Sequence, residues 1–481
     1  MMKAIHINTT ASYGGAAAVM QYLASTMRLH DIHSEILSAE DTPGSPAKLG
    51  ITRTPGLTTA CGWLGLPDCH VQKSHRLYCN AVLEDADFLH LHNLHGDYFN
   101  PWSLPLLTAL KPTVWTLHDM APLTGICAQS LGCQCWVPPA GCRDCPRHDI
   151  YPRRMRSRAH SLWQDRQTIY RHSTFSLVTP STWLQRLVEK SILGDKPLAC
   201  IPNGVDTAVF RPGDKEEARR LLGLPQDALL LGGCAEGGIA NPWKGGRFAL
   251  ETLLELKQQF PTLQFLNIGV KTAPEEFREA DWAHHIPYIH EPSRLARLYT
   301  SLDLLLYPTL ADNHPLVCIE SLCCGTPVVG FATGGVPEIV RHGSDGLLVP
   351  TGDGDALTKA AAALLHDGDW RMRMAQEAAV SAAQRFNLEL FGQRYAKVYE
   401  ASLQMPRSLK TSRLPLDKVP ALIKSPAFMR QERRKYPRPT LLERAEWLRH
   451  SARGAAAVSV ATIAGWLLHA LRALRARMFQ R

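Results

Sequence analysis

Short apolar runs alternate with longer stretches of helical period along most of the chain. Val114 to Leu117, Phe175 to Val178, Leu229 to Leu231, Leu304 to Tyr307 and Val328 to Phe331 are such runs. Each is succeeded by a turn or cap and then by helix-compatible sequence. Near-continuous apolar runs suit strands buried on both faces, and helical stretches between them suit crossovers. The rhythm predicts parallel sheets with crossover helices, a doubly wound α/β architecture.

A chain of 481 residues is too long for one ordinary core. Two domains plus an appendage is the natural division. Ile201-Pro202-Asn203-Gly204-Val205-Asp206 is the best boundary, an exposed turn after a strand. This divides the chain into a first domain over 1–200 and a second over 201–404. Helical sequence fades near Leu403. Pro406, Pro415, Pro420, Pro426, Pro437 and Pro439 break any long helix beyond it, so a tail is expected over 405–481.

Charge sharpens that division. From Arg407 onward, 17 Lys+Arg stand against 4 Asp+Glu, whereas the rest holds 36 basic and 40 acidic residues. The body is near neutral, which argues against a nucleic-acid-binding surface, and the tail calls for an anionic partner. The opening Met-Met-Lys-Ala-Ile-His-Ile reads as a strand and lacks the basic flank and apolar run of an export signal. The 13 cysteines are therefore expected in a reducing cytoplasm, outside any disulfide framework.

The densest chemistry lies between Asp312 and Val329. Two carboxylates, Asp312 and Glu320, stand eight positions apart, one before a predicted helix and one within it. Pro315 suits the first helical turn, and Gly325 ends the helix before Thr-Pro-Val-Val opens a strand. On spacing alone, Asp312 is equally an N-terminal cap and Glu320 a solvated helix residue. Gly334 and Gly335 precede a helix starting near Val336, where free amides offer an anion site. Lys244, in Pro242-Trp243-Lys244-Gly245-Gly246, comes after the first strand of the second domain. Tyr13-Gly14-Gly15 comes after the opening strand and starts a helix, a weak phosphate-loop signal. Thr116-Leu117-His118-Asp119 ends another strand at its carboxyl side, where open α/β sheets place ligands. His90, His92 and His95 also end a strand. Metal binding is open to them, but histidines at period two more often line a cleft, and they are assigned to an acceptor side.

The Asp312-to-Glu320 segment resembles the Glu-x7-Glu motif of family 4 retaining glycosyltransferases, whose fold is called GT-B. The likeness continues through Gly325-Thr326-Pro327-Val328-Val329, Gly334 to Val340, Gly343 and Gly346 to Val349. It spans roughly residues 1 to 400. It implies two facing Rossmann-like domains, with the last helix of the second packing back on the first. The implied donor is a nucleoside diphosphate sugar, with no cofactor or catalytic metal. Lys244 resembles the family's Lys-Gly motif, where the lysine neutralises the donor diphosphate. The resemblance puts His118 beside the donor sugar, Glu320 on the ribose, and Gly14 and Gly15 across the cleft from the phosphates. Two departures stand out. The first acid is Asp312, one methylene shorter than Glu, and Gly233 to Gly238 holds no arginine, leaving Lys244 alone or aided by Arg247.

Cys127, Cys133, Cys135, Cys142 and Cys145 crowd the span 127–145. Cys142 and Cys145 have the gap of a zinc knuckle, and Cys127 with Cys133 or Cys135 completes four sulfurs. Structural zinc, free buried thiols and disulfides are the readings in that order. Similar insertions occur in family members making bacterial exopolysaccharide or lipopolysaccharide, which points to a glycan or lipid-linked acceptor. Asp85-Ala86-Asp87 mimics a metal-binding Asp-x-Asp triplet but reads as the start of a strand. An epimerase, or a sugar-nucleotide-binding scaffold with impaired catalysis, is the alternative function.

In the tail, Val460, Ile463, Leu467, Leu471, Leu474 and Met478 share one helical stripe, with Arg472, Arg475 and Arg477 off it. This pattern suits a helix lying on an anionic leaflet at the inner face of the cytoplasmic membrane. A soluble helix packed on the body, or a marginal span over 454–471, are the other readings.

Overall fold

A computed structural model describes residues 2–39, 77, 81–143, 145, 158–235, 242–270, 275–277 and 280–406. The expected basic tail from 407 onward lies outside the described residues.

Two six-stranded parallel sheets form the frame. The first contains β1 (Met2–Asn8), β2 (Ile32–Ser38), β3 (Phe88–Leu91), β4 (Thr113–Thr116), β5 (Ser176–Thr179) and β6 (Leu198–Cys200), in the order β2-β1-β3-β4-β5-β6. The second contains β7 (Leu230–Cys234), β8 (Gln264–Ile268), β9 (Ala283–Ile286), β10 (Leu304–Tyr307), β11 (Val328–Phe331) and β12 (Gly346–Val349), in the order β12-β11-β10-β7-β8-β9. In each sheet the order reverses beside the first strand, which opens a crevice at the carboxyl ends. The apolar runs at 304–307 and 328–331 coincide with β10 and β11, and the other three lie within a residue or so of their strands except that β7 extends to Cys234.

Side-chain alternation sorts the strand residues into layers. Leu231, Phe265, Leu304, Leu306, Val329 and Phe331 face one core on the second sheet. Leu230, Leu266, Leu305 and Val328 face the opposite way, into a core shared with Ala4, Phe88, Val114 and Val178 of the first sheet. One apolar core thus joins the two units.

Several helices carry the site. They are α1 (Gly15–Thr26), α2 (Thr182–Glu189), α3 (Gly246–Gln259), α4 (Pro292–Ser301), α5 (Leu316–Cys323), α6 (Val336–Ile339) and α7 (Leu388–Leu403). Helix α7 comes from the end of the described chain and returns to the first sheet, packing on α1 and β4. Its Tyr395 and Tyr399 are fully buried there. The Tyr399 hydroxyl lies 2.5 Å from His90 Nδ1, and the Tyr395 hydroxyl 2.9 Å from Thr116 Oγ1.

Asp85 and Asp87 sit at the amino end of β3. There Asp87 accepts from the Lys3 amide (2.7 Å) and Asp85 from the Lys3 ammonium (3.0 Å). This is the sheet edge opposite the ligand crevice, as the strand reading of the triplet requires. No helix among the described residues is long and apolar enough to cross a membrane.

Candidate active site

The loop after β10 brings the first acid into place. Asp312 precedes α5, whose N-cap is Pro315, so Asp312 is not the helix cap. Its Oδ2 pairs with the Lys244 ammonium and accepts from the Tyr307 hydroxyl at 2.5 Å, while Oδ1 accepts from the Asn313 amide at 2.9 Å. Burial alone would raise this carboxyl. Lys244, Tyr307 and the Asn313 amide outweigh that and hold it below the ordinary range. Tyr307 was missed in the sequence, where it reads only as the last apolar residue of a strand.

Lys244 reaches Asp312 because Gly245 lies hard against β10. Gly245 has φ 71°, and a Cβ there would stand 1.7 Å from the Pro308 carbonyl oxygen. Only glycine permits that approach. Lys244 shares a depression with Gly233, Cys234, Ala235, Tyr307 and Pro308 at the carboxyl edge of the second sheet. Arg247 takes no part in the Lys244–Asp312 pair in the free protein. It is exposed on α3 and pairs with Glu251 at 2.8 Å.

Glu320 is 6% exposed, which removes the solvated-helix reading. Its Oε2 accepts from the Tyr299 hydroxyl of α4 at 3.2 Å. Burial raises this carboxyl to about 7, with the Tyr299 bond opposing. Tyr299 was also beyond sequence reading, since nothing in the spacing pairs it with Glu320.

Gly334 and Gly335 lie against the Asp312 loop in the free protein. A Cβ on Gly334 would lie 1.8 Å from the Asp312 carbonyl oxygen, and one on Gly335 1.8 Å from that of Asn313. The Gly335 amide donates to the Asp312 carbonyl at 3.2 Å. The next helix, α6, is a single turn. The pair therefore fixes the backbone that presents Asp312, and the Gly335 amide is already spent.

The first unit meets this loop directly. Asn313 Nδ2 donates to the Leu117 and His118 carbonyls at 3.3 and 3.1 Å, and the Ser181 hydroxyl donates to Asn313 Oδ1 at 2.5 Å. Glu338 on α6 accepts from the Thr182 and Trp183 amides, 2.7 Å each, capping α2 across the junction. His118 thus stands at the carboxyl end of β4, beside the Asp312 loop. Gly14, with φ 86°, donates its amide to the Tyr288 hydroxyl at 3.3 Å, and Tyr13 packs on the Tyr288 ring. A Cβ on Gly14 or Gly15 would meet nothing within 4 Å, so this loop is open.

His90 and His92 correct the acceptor-side assignment. Both are buried, at 0% and 1% exposure, and neither lines the crevice. His95 is half-buried and pairs with Asp119 at 2.7 Å. Burial would raise Asp119, but His95 and the Ala121 amide hold it below its usual value.

The cysteine-rich span packs into the first core with Trp136 and Trp163. Its sulfurs are thiols, outside any disulfide, and burial pushes Cys127 up to about 12. Cys133 and Cys135 sulfurs lie 3.0 Å apart, and Cys142 Sγ accepts from the Gly125 amide at 3.2 Å. Among the described residues, the only set of three or more His, Cys, Asp or Glu with ligand atoms within 4.8 Å of one another is His6, His90 and His92. No three of Cys127, Cys133, Cys142 and Cys145 meet that spacing, and the structure gives the zinc expectation no support.

Paired doubly wound units that meet at adjoining carboxyl edges, with Lys244 and buried Glu320 there, form the GT-B fold class. The family description Glycosyltransferase Family 4 matches residues 13–209, and Glycosyl transferases group 1 matches 234–367. The chain belongs to this group 1/family 4 glycosyltransferase family. It is similar to the D-inositol 3-phosphate glycosyltransferase of Acidothermus cellulolyticus, 33% identical over 256 residues, 50% of this chain and 56% of that protein. The corresponding protein of Segniliparus rotundus is 31% identical over 215 residues, 42% of this chain and 47% of the relative. The chain spans about half the length of the curated relatives it matches. Sucrose-phosphate synthase from Thermosynechococcus elongatus shares the fold with TM-score 0.62 at 17% identity, covering 83% of this chain and 99% of that one. Anabaena HepE, solved with UDP-glucose, gives 0.59 at 15% identity, covering 83% and 100%.

Proposed function

We propose that this protein transfers a sugar from a nucleoside diphosphate sugar to a hydroxyl of a glycan or lipid-linked acceptor, with retained anomeric configuration. The observation that carries the reading is the Lys244–Asp312 pair beside buried Glu320 at one sheet edge. A lysine held by a carboxylate in the free protein is available to a diphosphate, which carries more negative charge.

The donor diphosphate draws Lys244 off Asp312 and gains a cation where negative charge develops as the sugar leaves. Asp312, released, turns to sugar hydroxyls together with His118. Glu320 accepts from the ribose hydroxyls. The Gly14 amide exchanges its Tyr288 partner for a phosphate oxygen, and Gly15 gives that oxygen room. The acceptor hydroxyl attacks from the face the diphosphate leaves. The bond from the anomeric carbon to the diphosphate breaks as the new glycosidic bond forms, and the acceptor proton passes to the leaving phosphate oxygen. No protein nucleophile is needed.

UDP-glucose is the first donor to test, because HepE binds it. The acceptor assignment, and a place in surface polysaccharide assembly, rest on the cysteine-rich span and the basic tail. That tail supports peripheral attachment to an anionic membrane. A panel of nucleoside diphosphate sugars is screened by thermal shift, and nucleoside diphosphate release is monitored. A true donor at 100 times its Kd stabilises by about 2.7 kcal/mol. If no panel member shifts unfolding or is hydrolysed, the transferase reading fails; a shift without hydrolysis or transfer favours the binding scaffold.

A further inference from the structure

Four histidines stack through the middle of the first sheet. His6 on β1 is the register partner of His90 on β3, His92 succeeds β3, and His118 succeeds β4, both at the carboxyl ends of their strands. Successive ring centroids are 5.0 Å (His6–His90), 4.3 Å (His90–His92) and 5.2 Å (His92–His118). Hydrogen bonds thread three of them. Ser34 Oγ lies 3.2 Å from His6 Nε2, His6 Nδ1 lies 3.1 Å from His92 Nε2, and His92 Nδ1 lies 2.9 Å from His118 Nε2. His90 stands outside this line, bonded to Tyr399 through Nδ1 and to Thr116 through Nε2 (2.7 Å).

We propose that Ser34, His6 and His92 are positioning residues that fix which ring nitrogen of His118 carries its proton. The proposal rests on the reading of His118 as a contact to the donor sugar. A neutral imidazole has one donor and one acceptor nitrogen. In a continuous line of neutral rings, every bond must therefore run in the same direction. Only two arrangements exist. In one, Ser34 donates, and His6, His92 and His118 all carry the proton on Nδ1. In the other, all three carry it on Nε2, and Ser34 accepts. His118 cannot change tautomer unless His92 and His6 change with it. Its Nδ1 has no partner among the described residues, so the relay decides whether that nitrogen donates or accepts.

Neutrality is built in. Burial lowers His6 to about 3 and His118 to about 4, and carries His90 and His92 well below their ordinary value. A metal ion is the competing occupant, since the His6, His90 and His92 nitrogens come within its reach. All six ring nitrogens of those three residues already have hydrogen-bonding partners, which favours the relay over coordination.

The test is nitrogen-15 spectroscopy of histidine-labelled full-length protein, with signals assigned by loss in His→Phe variants. In the wild type, His6, His92 and His118 should show one common tautomer. In His92→Phe and in His6→Phe, which does not touch His118, the His118 signal should move to a mixture of tautomers. Donor Kd should change little, whereas kcat should fall by about tenfold. Discordant tautomers in the wild type overturn the relay without any variant being needed. So does an unchanged His118 signal in a folded His6→Phe protein, or one equivalent of tightly bound metal. A wild type that shows the common tautomer but binds no sugar nucleotide would instead sink the transferase reading and leave the relay standing.

Discussion

Replacing Glu320 with glutamine should stabilise the free protein and damage the enzyme. The carboxyl is buried, its partner is the Tyr299 hydroxyl, and glutamine keeps an acceptor for that bond. Burial raises Glu320 from 4.5 to about 7. Above pH 7 the folded protein must hold a buried charge that the unfolded chain holds in water. The stability lost grows as pH rises from the unfolded value through the folded one, and then levels off. That rise corresponds to about 3 kcal/mol at pH 8, falling below about 1 kcal/mol at pH 5. Glutamine, having no charge to bury, should recover that difference. The assay is urea unfolding of Glu320→Gln and wild type from pH 5 to pH 8. The same substitution should weaken donor binding and abolish transfer, because ribose hydroxyls bind best to an ionised acceptor. Wild-type donor affinity should accordingly tighten as pH rises from 6 to 8. Equal stability of the two proteins at both ends of the range would refute the argument from burial.

Three further outcomes are expected of the site and the tail. Lys244→Met should weaken donor binding by roughly 2 kcal/mol, about thirtyfold in Kd by calorimetry, and an unchanged Kd would move the diphosphate elsewhere. Gly335→Ala forces a Cβ onto the Asn313 carbonyl and should cost about 1–3 kcal/mol in unfolding free energy while abolishing transfer; a silent substitution would mean the Asp312 loop is not held from this side. A chain ending at Arg407 should fail to float with anionic vesicles yet still hydrolyse donor, while the full chain floats and is partly released by high salt. Flotation of the shortened protein would place the membrane contact in the body.

The sheet architecture was legible because strands buried on both faces leave contiguous apolar runs, and β10 and β11 emerge with the bounds their sequences suggest. The acids, the lysine and the glycines were legible because each lies in a local motif. Their partners were not. Tyr299 and Glu320 come from different helices, and Tyr307 becomes a ligand to Asp312 only when the loop folds back. Likewise His6 and His92 are 86 positions apart and meet because β1 and β3 are neighbours in space. Gly334 and Gly335 are legible as glycines before a helix; that the chain's own backbone at Asp312 and Asn313 lies hard against them is set by the loop fold and carries no local signal. The cysteine spacing suggests a ligand set; the chain packs these thiols with Trp136 and Trp163 in the first core, and no three of their sulfurs lie within 4.8 Å of one another.

Helix α7 imposes an order on biosynthesis. Its tyrosines plug the first sheet, yet it is made after the whole second sheet, about 190 residues beyond β6, or roughly 10–40 s later at ordinary translation rates. Throughout that interval the nascent first sheet leaves His90, Thr116 and Phe88 without the cover they have in the finished protein. The amino-terminal half is therefore expected to need chaperone protection until α7 docks. Expressed alone, it should be recovered in soluble form only when a peptide covering Leu388–Leu403 is supplied in trans.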